Sequence, residues 1–197
     1  MAADKLDRRV RYTKMVLRDS LLELMQTAPI NKITVKDICE RADVNRGTFY
    51  LHYQDPYDLM HQIENELIDE VRAAMARHDE AGTLKNTHAI ISEIMQCIAN
   101  NASLCRILLG VHGQSTLLEK IIPITKKEYM MVWTDQLDIR NMAEIEFLYT
   151  FVVTGGIGVI RQWLEGGMRE TVEEIATIVD RMAYRGLEAY VKAGRRL

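Results

Sequence analysis

Apolar residues along this chain recur at intervals of three and four and nowhere alternate, which is the period of helices and not of strands. Val10, Leu17, Leu21, Leu24 and Met25 predict a first helix over about residues 10–27, stopped before Pro29. Val35, Ile38, Cys39 and Ala42 predict a short second helix, with Thr34 placed to cap it. Phe49 and Tyr53, four apart, are the inward pair of a third helix opened by Asn45. Asp55-Pro56 reads as N-cap and first helical residue of a fourth, running to about residue 77 with Leu59, Met60, Ile63, Leu67, Val71 and Met75 on one side. Beyond Gly82 the pattern predicts helices over about 83–100, 103–111, 115–136 (bent or interrupted at Pro123), 141–165 behind an Asn141 cap, and 171–192 behind a Thr171/Glu174 capping box. The buried stripe of the last is Val172, Ile175, Val179, Met182, Ala183, Leu187 and Tyr190. The fold class is therefore all-α, with about nine helices.

Residues 33–53 organise the rest. Asp43 stands where the second helix must stop, and aspartate tolerates the left-handed backbone of a sharp turn. With Phe49 and Tyr53 turned inward, Arg46, Gly47, Thr48, Tyr50, Leu51 and His52 are left outside. Two short helices joined by a tight turn, with an outer face of cation, hydroxyls and aromatics, describe a helix-turn-helix. Such a face has donors for phosphates and base edges, and a glycine lets backbone come close to DNA.

Charge sharpens this picture. The formal net charge of −3 gives no global sign of nucleic-acid binding, yet residues 1–18 hold six basic side chains against two acidic ones. Residues 1–9, polar and expected to order only on DNA, would carry Arg8 and Arg9 toward phosphates or a minor groove, with Arg11 beside them. The three cysteines, 39, 97 and 105, form no zinc spacing, and buried structural thiols are expected, with oxidant sensing by Cys97 or Cys105 the less favoured reading. No apolar signal region and no bilayer-length apolar run is expected, which makes the cytoplasm the natural location and leaves no membrane partner. The five histidines fall into no metal-ligand spacing, no nucleophile motif is present, and neither cofactor nor metal nor enzymatic chemistry is expected. Gly155-Gly156-Ile157-Gly158 lacks the strand and lysine of a phosphate loop; three glycines inside a helix, each costing about 1 kcal/mol relative to alanine, point to a bend or a close approach of helices.

The run Val44-Asn45-Arg46-Gly47-Thr48-Phe49-Tyr50-Leu51-His52-Tyr53, followed by Asp58-Leu59, resembles the DNA-binding domain of the TetR family of bacterial transcriptional regulators. The resemblance is strong over roughly residues 8–60 and elsewhere extends to size and helical layout. It implies an N-terminal three-helix DNA-binding domain, residues 1–55, and a C-terminal helical ligand-binding and dimerisation domain, residues 56–197. It also implies a homodimer on a palindromic double-stranded operator, released by an unknown small-molecule effector. Taken residue by residue, Lys36, Arg46, Gly47 and Thr48 would face bases or adjoining backbone, Thr34, Tyr50 and His52 would hold phosphates, Asn45 would open the recognition helix, and Leu51 would touch a thymine methyl. One departure stands out. Many members carry a lysine near position 56 where this chain has proline, so a phosphate there would have to rest on the helix start itself.

The resemblance further implies a ligand cavity, for which Met95, His112, Tyr129, Trp133 and Phe151 are candidates, and a four-helix interface between subunits from the last two long helices, with Gly155, Gly158, Trp163, Val179, Met182 and Leu187. Ligand would act through the helix at 56–77 as a lever. An activator or co-regulator controlled by a protein partner is the alternative, and an enzyme retaining the motif as a relic a third reading.

Overall fold

A computed structural model of the chain describes residues 2–80, 87–110, 120, 122, 126 and 141–194. Among these, no strand is present; the elements are α1 (Ala2–Met25), a 3-10 turn (Ile30–Lys32), α2 (Val35–Ala42), α3 (Arg46–Tyr50), α4 (Pro56–Glu80), α5 (Thr87–Asn100), α6 (Ala102–Leu109), α7 (Met142–Glu165), α8 (Val172–Asp180), a π-helical segment (Arg181–Arg185) and α9 (Gly186–Gly194). The expected helix at 115–136 lies almost wholly outside the described residues.

Helix starts follow the caps. Asn141 Oδ1 accepts from the amides of Ala143 (3.1 Å) and Glu144 (3.4 Å), and Thr171 with Glu174 closes a full capping box. Two features differ from expectation. α1 begins at Ala2 instead of near Val10, because residues 2–9 contain neither proline nor glycine and are mostly helix formers, so the arm continues the helix. The expected start of the next helix near residue 83 lies outside the described residues, and α5 is described over Thr87–Asn100. The last helix contains a π segment, where one turn holds an extra residue, and such an irregularity leaves no mark in a three-four pattern.

The chain divides into two compact units: Met1–Leu67 with Ile107–Gln114, and Ile68–Arg106 with Ser115–Leu197. The division falls inside α4, whose Leu59, Met60, Ile63 and Leu67 are buried within the first unit. The core of that unit also holds Leu17, Leu21, Ile38 and Phe49, all without solvent exposure. Two ion pairs tie its helices: Arg18 Nη1 to Glu66 Oε2 at 3.0 Å joins α1 to α4, and Arg41 to Glu23 joins α2 to α1.

In the second unit, Ile91 and Met95 of α5 pack with Trp163 of α7 and with Ile175 and Ala176 of α8, flanked by Val159, Ile160 and Val172. Polar contacts fix the surrounding turns. Thr87 Oγ1 donates to Asp180 Oδ1 at 2.7 Å, Arg106 Nε donates to the Leu164 carbonyl at 3.0 Å, and Trp163 Nε1 donates to the Glu170 carbonyl at 2.9 Å. The turn after α7 carries Gly167 at φ +83° and Met168 at φ +55°. α7 also corrects one expectation: by length and composition it could cross a membrane, with mean hydropathy 1.5 over its most apolar window and only 11% of that window buried. Its charges lie near its ends, so the apolar run is continuous once the helix is drawn from Met142 to Glu165.

Candidate nucleic-acid interface

α2 is started by reciprocal capping. Thr34 Oγ1 accepts from the Asp37 amide at 3.2 Å, while Asp37 Oδ2 accepts from the Thr34 amide at 2.9 Å and from its hydroxyl at 2.7 Å. These bonds, the Thr34 hydroxyl foremost, hold the Asp37 carboxyl below the usual carboxylate range, with Lys36 and Arg46 adding to the effect. The hydroxyl proton of Thr34 is therefore already given to Asp37, and Thr34 serves as a cap in this geometry. Asp43 ends α2 in the left-handed region (φ 52°, ψ 45°), and the Val44 amide returns to the Cys39 carbonyl at 3.0 Å.

Asn45 then opens α3, its Oδ1 accepting from the Gly47 amide at 2.7 Å. The helical turn continues past Tyr50, since the amides of His52 and Tyr53 both bond the Phe49 carbonyl. Phe49 and Tyr53 lock this turn onto the core with ring centroids 5.6 Å apart, and burial pushes the Tyr53 phenol up, the neighbouring carboxylates of Glu66 and Asp58 adding to it. The outward side presents Arg46, Gly47, Tyr50 at 58% exposure and Leu51 at 78%, with Thr48 and His52 half-buried at its edges. Tyr50 stands edge-on to Phe49, the planes 86° apart, so an exposed ring is braced by a buried one. Lys36 is exposed on α2, 3.7 Å from Glu40. The arrangement offers a cation, a phenol and an apolar tip from one short helix on a rigid base, the chemistry of groove reading.

The start of α4 carries acidic groups where a phosphate seat was expected. Asp55 Oδ1 accepts from the Asp58 amide at 2.8 Å, and Asp58 Oδ2 accepts from the Gln54 amide at 2.9 Å. Two carboxylates thus take up the Asp58 and Gln54 amides and set negative charge beside the helix start.

In the second unit the structure redistributes the expected residues. Met95 is buried in the core described above, whereas Phe151, expected to line a cavity, is 74% exposed, as is its neighbour one turn back, Phe147, at 78%. His112, Tyr129 and Trp133 lie outside the described residues. Of the expected interface positions, Gly155, Gly158 and Met182 are exposed, and a Cβ built on either glycine would meet nothing within 4 Å. Trp163 and Leu187 are instead buried inside the subunit and Val179 packs against its core, because the core claims the opposite side of these helices. Sequence reasoning missed Phe147; its four-residue spacing from Phe151 was the available signal.

Comparison with known proteins accords with this geometry. A model of the bacterial regulatory proteins of the tetR family matches residues 17–63, and a model described as a transcriptional regulator C-terminal region, of the same family, matches residues 85–185. The chain is 30% identical over 59 residues to the uncharacterised HTH-type transcriptional regulator YxbF of Bacillus subtilis; the match covers 30% of this chain and 16% of that protein. It is 23% identical over 176 residues to the "Probable acrEF/envCD operon repressor" of Escherichia coli K12, covering 78% and 80% of the two chains. In fold it is similar to the fatty acid degradation regulator FadR of Bacillus halodurans, with a TM-score of 0.68 over 87% of this chain and 94% of that one at 12% identity.

Proposed function

Because the chain belongs to the TetR family of transcriptional regulators, we propose that it is a cytoplasmic repressor that binds a palindromic operator as a homodimer and is released by a small-molecule effector. The observation that carries the DNA-binding reading is α3, whose buried Phe49 and Tyr53 hold Arg46, Tyr50 and Leu51 outward. In a dimer the two copies of this helix would enter successive major grooves about 34–36 Å apart.

Support for the second copy comes from α7 and the last helix. Phe147, Phe151, Gly155 and Gly158 recur at four, four and three along α7, all exposed, and Ile178 and Met182 are exposed at the same spacing beyond it. An apolar stripe of this length on a single subunit calls for a partner. Effector release rests on family membership: a ligand binding the two shapes of the subunit unequally would change the separation of the recognition helices.

The test is retention of genomic DNA fragments by the purified protein, followed by footprinting of those retained. The expected result is a protected inverted repeat, occupied by two chains per site and vacated on effector addition. Binding with no sequence preference at any salt concentration would remove the regulatory reading.

A further inference from the structure

Residues 33–53 hold three basic and three acidic side chains, so the reading head has no net charge with which to attract DNA. One of the acids and one of the bases are accounted for locally: Asp37 is tied to Thr34, and Arg41 to Glu23. That leaves Lys36 and Arg46 facing Glu40 and Asp43 around an open depression of about 440 Å³ at the turn between α2 and α3. Lys36 Nζ lies 3.7 Å from Glu40 Oε1, one helical turn along α2, and both side chains are largely exposed.

We propose that Glu40 is a specificity-determining residue of this head: its carboxylate holds the Lys36 ammonium and competes with DNA phosphates for it. This rests on the DNA-binding reading above. Non-specific affinity comes almost wholly from cations meeting phosphates, whereas specific affinity also draws on directed contacts to base edges. A carboxylate within reach of the only exposed lysine of α2 therefore subtracts more from binding at random sites, where Lys36 has nothing to gain but a phosphate. At the operator, contacts from Arg46 and Tyr50 hold the head in register, and Lys36 turns to the duplex at smaller relative cost. Asp37 faces the same lysine, but its Oδ2 is committed to the Thr34 cap. Asp43 lies past the helix end in the left-handed turn, whereas Glu40 stands one helical turn from Lys36 on the same face, placed to take or release it.

The experiment compares wild type, Glu40→Gln, Lys36→Ala and the double variant by fluorescence anisotropy. The probes are a random-sequence duplex and the fragment selected by the wild-type protein, each over a salt series. Glu40→Gln should tighten binding to the random duplex by about 3–10-fold at low salt and steepen the salt dependence by about one charge, with a smaller gain on the selected fragment. In the Lys36→Ala background the gain should fall below about twofold. Unchanged random-duplex affinity in Glu40→Gln, or an equal gain with and without Lys36, overturns the proposal while leaving the DNA-binding reading intact. Failure of the wild type to prefer any fragment overturns both. Glu40 is exposed and buries no core surface, so Glu40→Gln should melt with the wild type; Glu40→Ala repeats the measurement with a second neutral side chain.

Discussion

Asn45 Oδ1 accepts the Gly47 amide at 2.7 Å, and a Cβ on residue 47 would stand only 3.3 Å from that same oxygen. Cap and glycine are thus a matched pair at the mouth of α3. Asn45→Ala should cost about 1 kcal/mol of stability, as loss of an N-cap commonly does. In Gly47→Ala the helix-propensity gain of up to about 1 kcal/mol opposes the crowding of Asn45, so stability should move little. Affinity for selected DNA should nevertheless fall, because the backbone can no longer approach the groove as closely. Thermal melts alongside gel shifts check this; loss of stability without loss of DNA affinity would reverse the assignment.

The Thr34–Asp37 cap makes a statement about acid. Asp37 has its carboxyl held below the ordinary aspartate range, chiefly by the Thr34 hydroxyl and amide. A depressed carboxyl contributes stability that is present above its unfolded value and is lost as pH falls through its folded one. Asp37→Asn should therefore destabilise the protein at neutral pH, and the difference from wild type should shrink as pH is taken down through and below about 4. Denaturant titrations at stepped pH measure it, and a pH-independent difference would exclude the ionised cap as its source.

Cys97 and Cys105 are poor candidates for oxidant sensing. Burial, with Glu70 nearby, pushes both thiols up to about 12, and Cys97 donates to Glu70 Oε2 at 3.3 Å. Both should resist alkylation near pH 8 in the folded protein and react fully once it is unfolded. Stability should decline above about pH 9, where only the unfolded thiols ionise. Rapid native labelling of either would contradict their burial.

Phe151 and Trp163 sit on one helix and should fail differently. Phe147→Glu with Phe151→Glu should leave each subunit folded yet convert the proposed dimer to monomer, read by sedimentation. Trp163→Ala should instead destabilise the subunit by about 3–5 kcal/mol, since it removes the ring from the cluster around Met95 and Ile175. A folded dimer carrying both glutamates would exclude this face as the interface.

What could be read from the residues alone divides along physical lines. Caps are local chemistry, and Thr34, Asn45, Pro56, Asn141 and Thr171 stand within one residue of the observed helix starts. The inward pair Phe49 and Tyr53 was legible because polar neighbours fix the phase of a short helix. α7 gave no such phase. Nearly every position from Phe147 to Ile160 is apolar or small, so periodicity could not tell Ile145, Tyr149 and Trp163, which are buried, from Phe147 and Phe151, which are not. Likewise Met182 and Ala183 are neighbours of similar character, both read as inward, and the structure buries Ala183 but leaves Met182 exposed. Asp55 was legible as a cap, but the commitments of Asp37 and Asp58 to backbone amides were hidden, because composition counts charges without saying what already holds them.

The wide turn at Arg181–Arg185 has a consequence for reading relatives of this chain. A π turn accommodates one residue more than an α turn before the backbone resumes its course, so Leu187 reaches the interior with a surplus residue behind it. A related chain whose final helix is regular throughout should therefore be aligned with a single-position gap between 181 and 185. Aligned without it, every residue downstream would be matched to one pointing about 100° away around the rod.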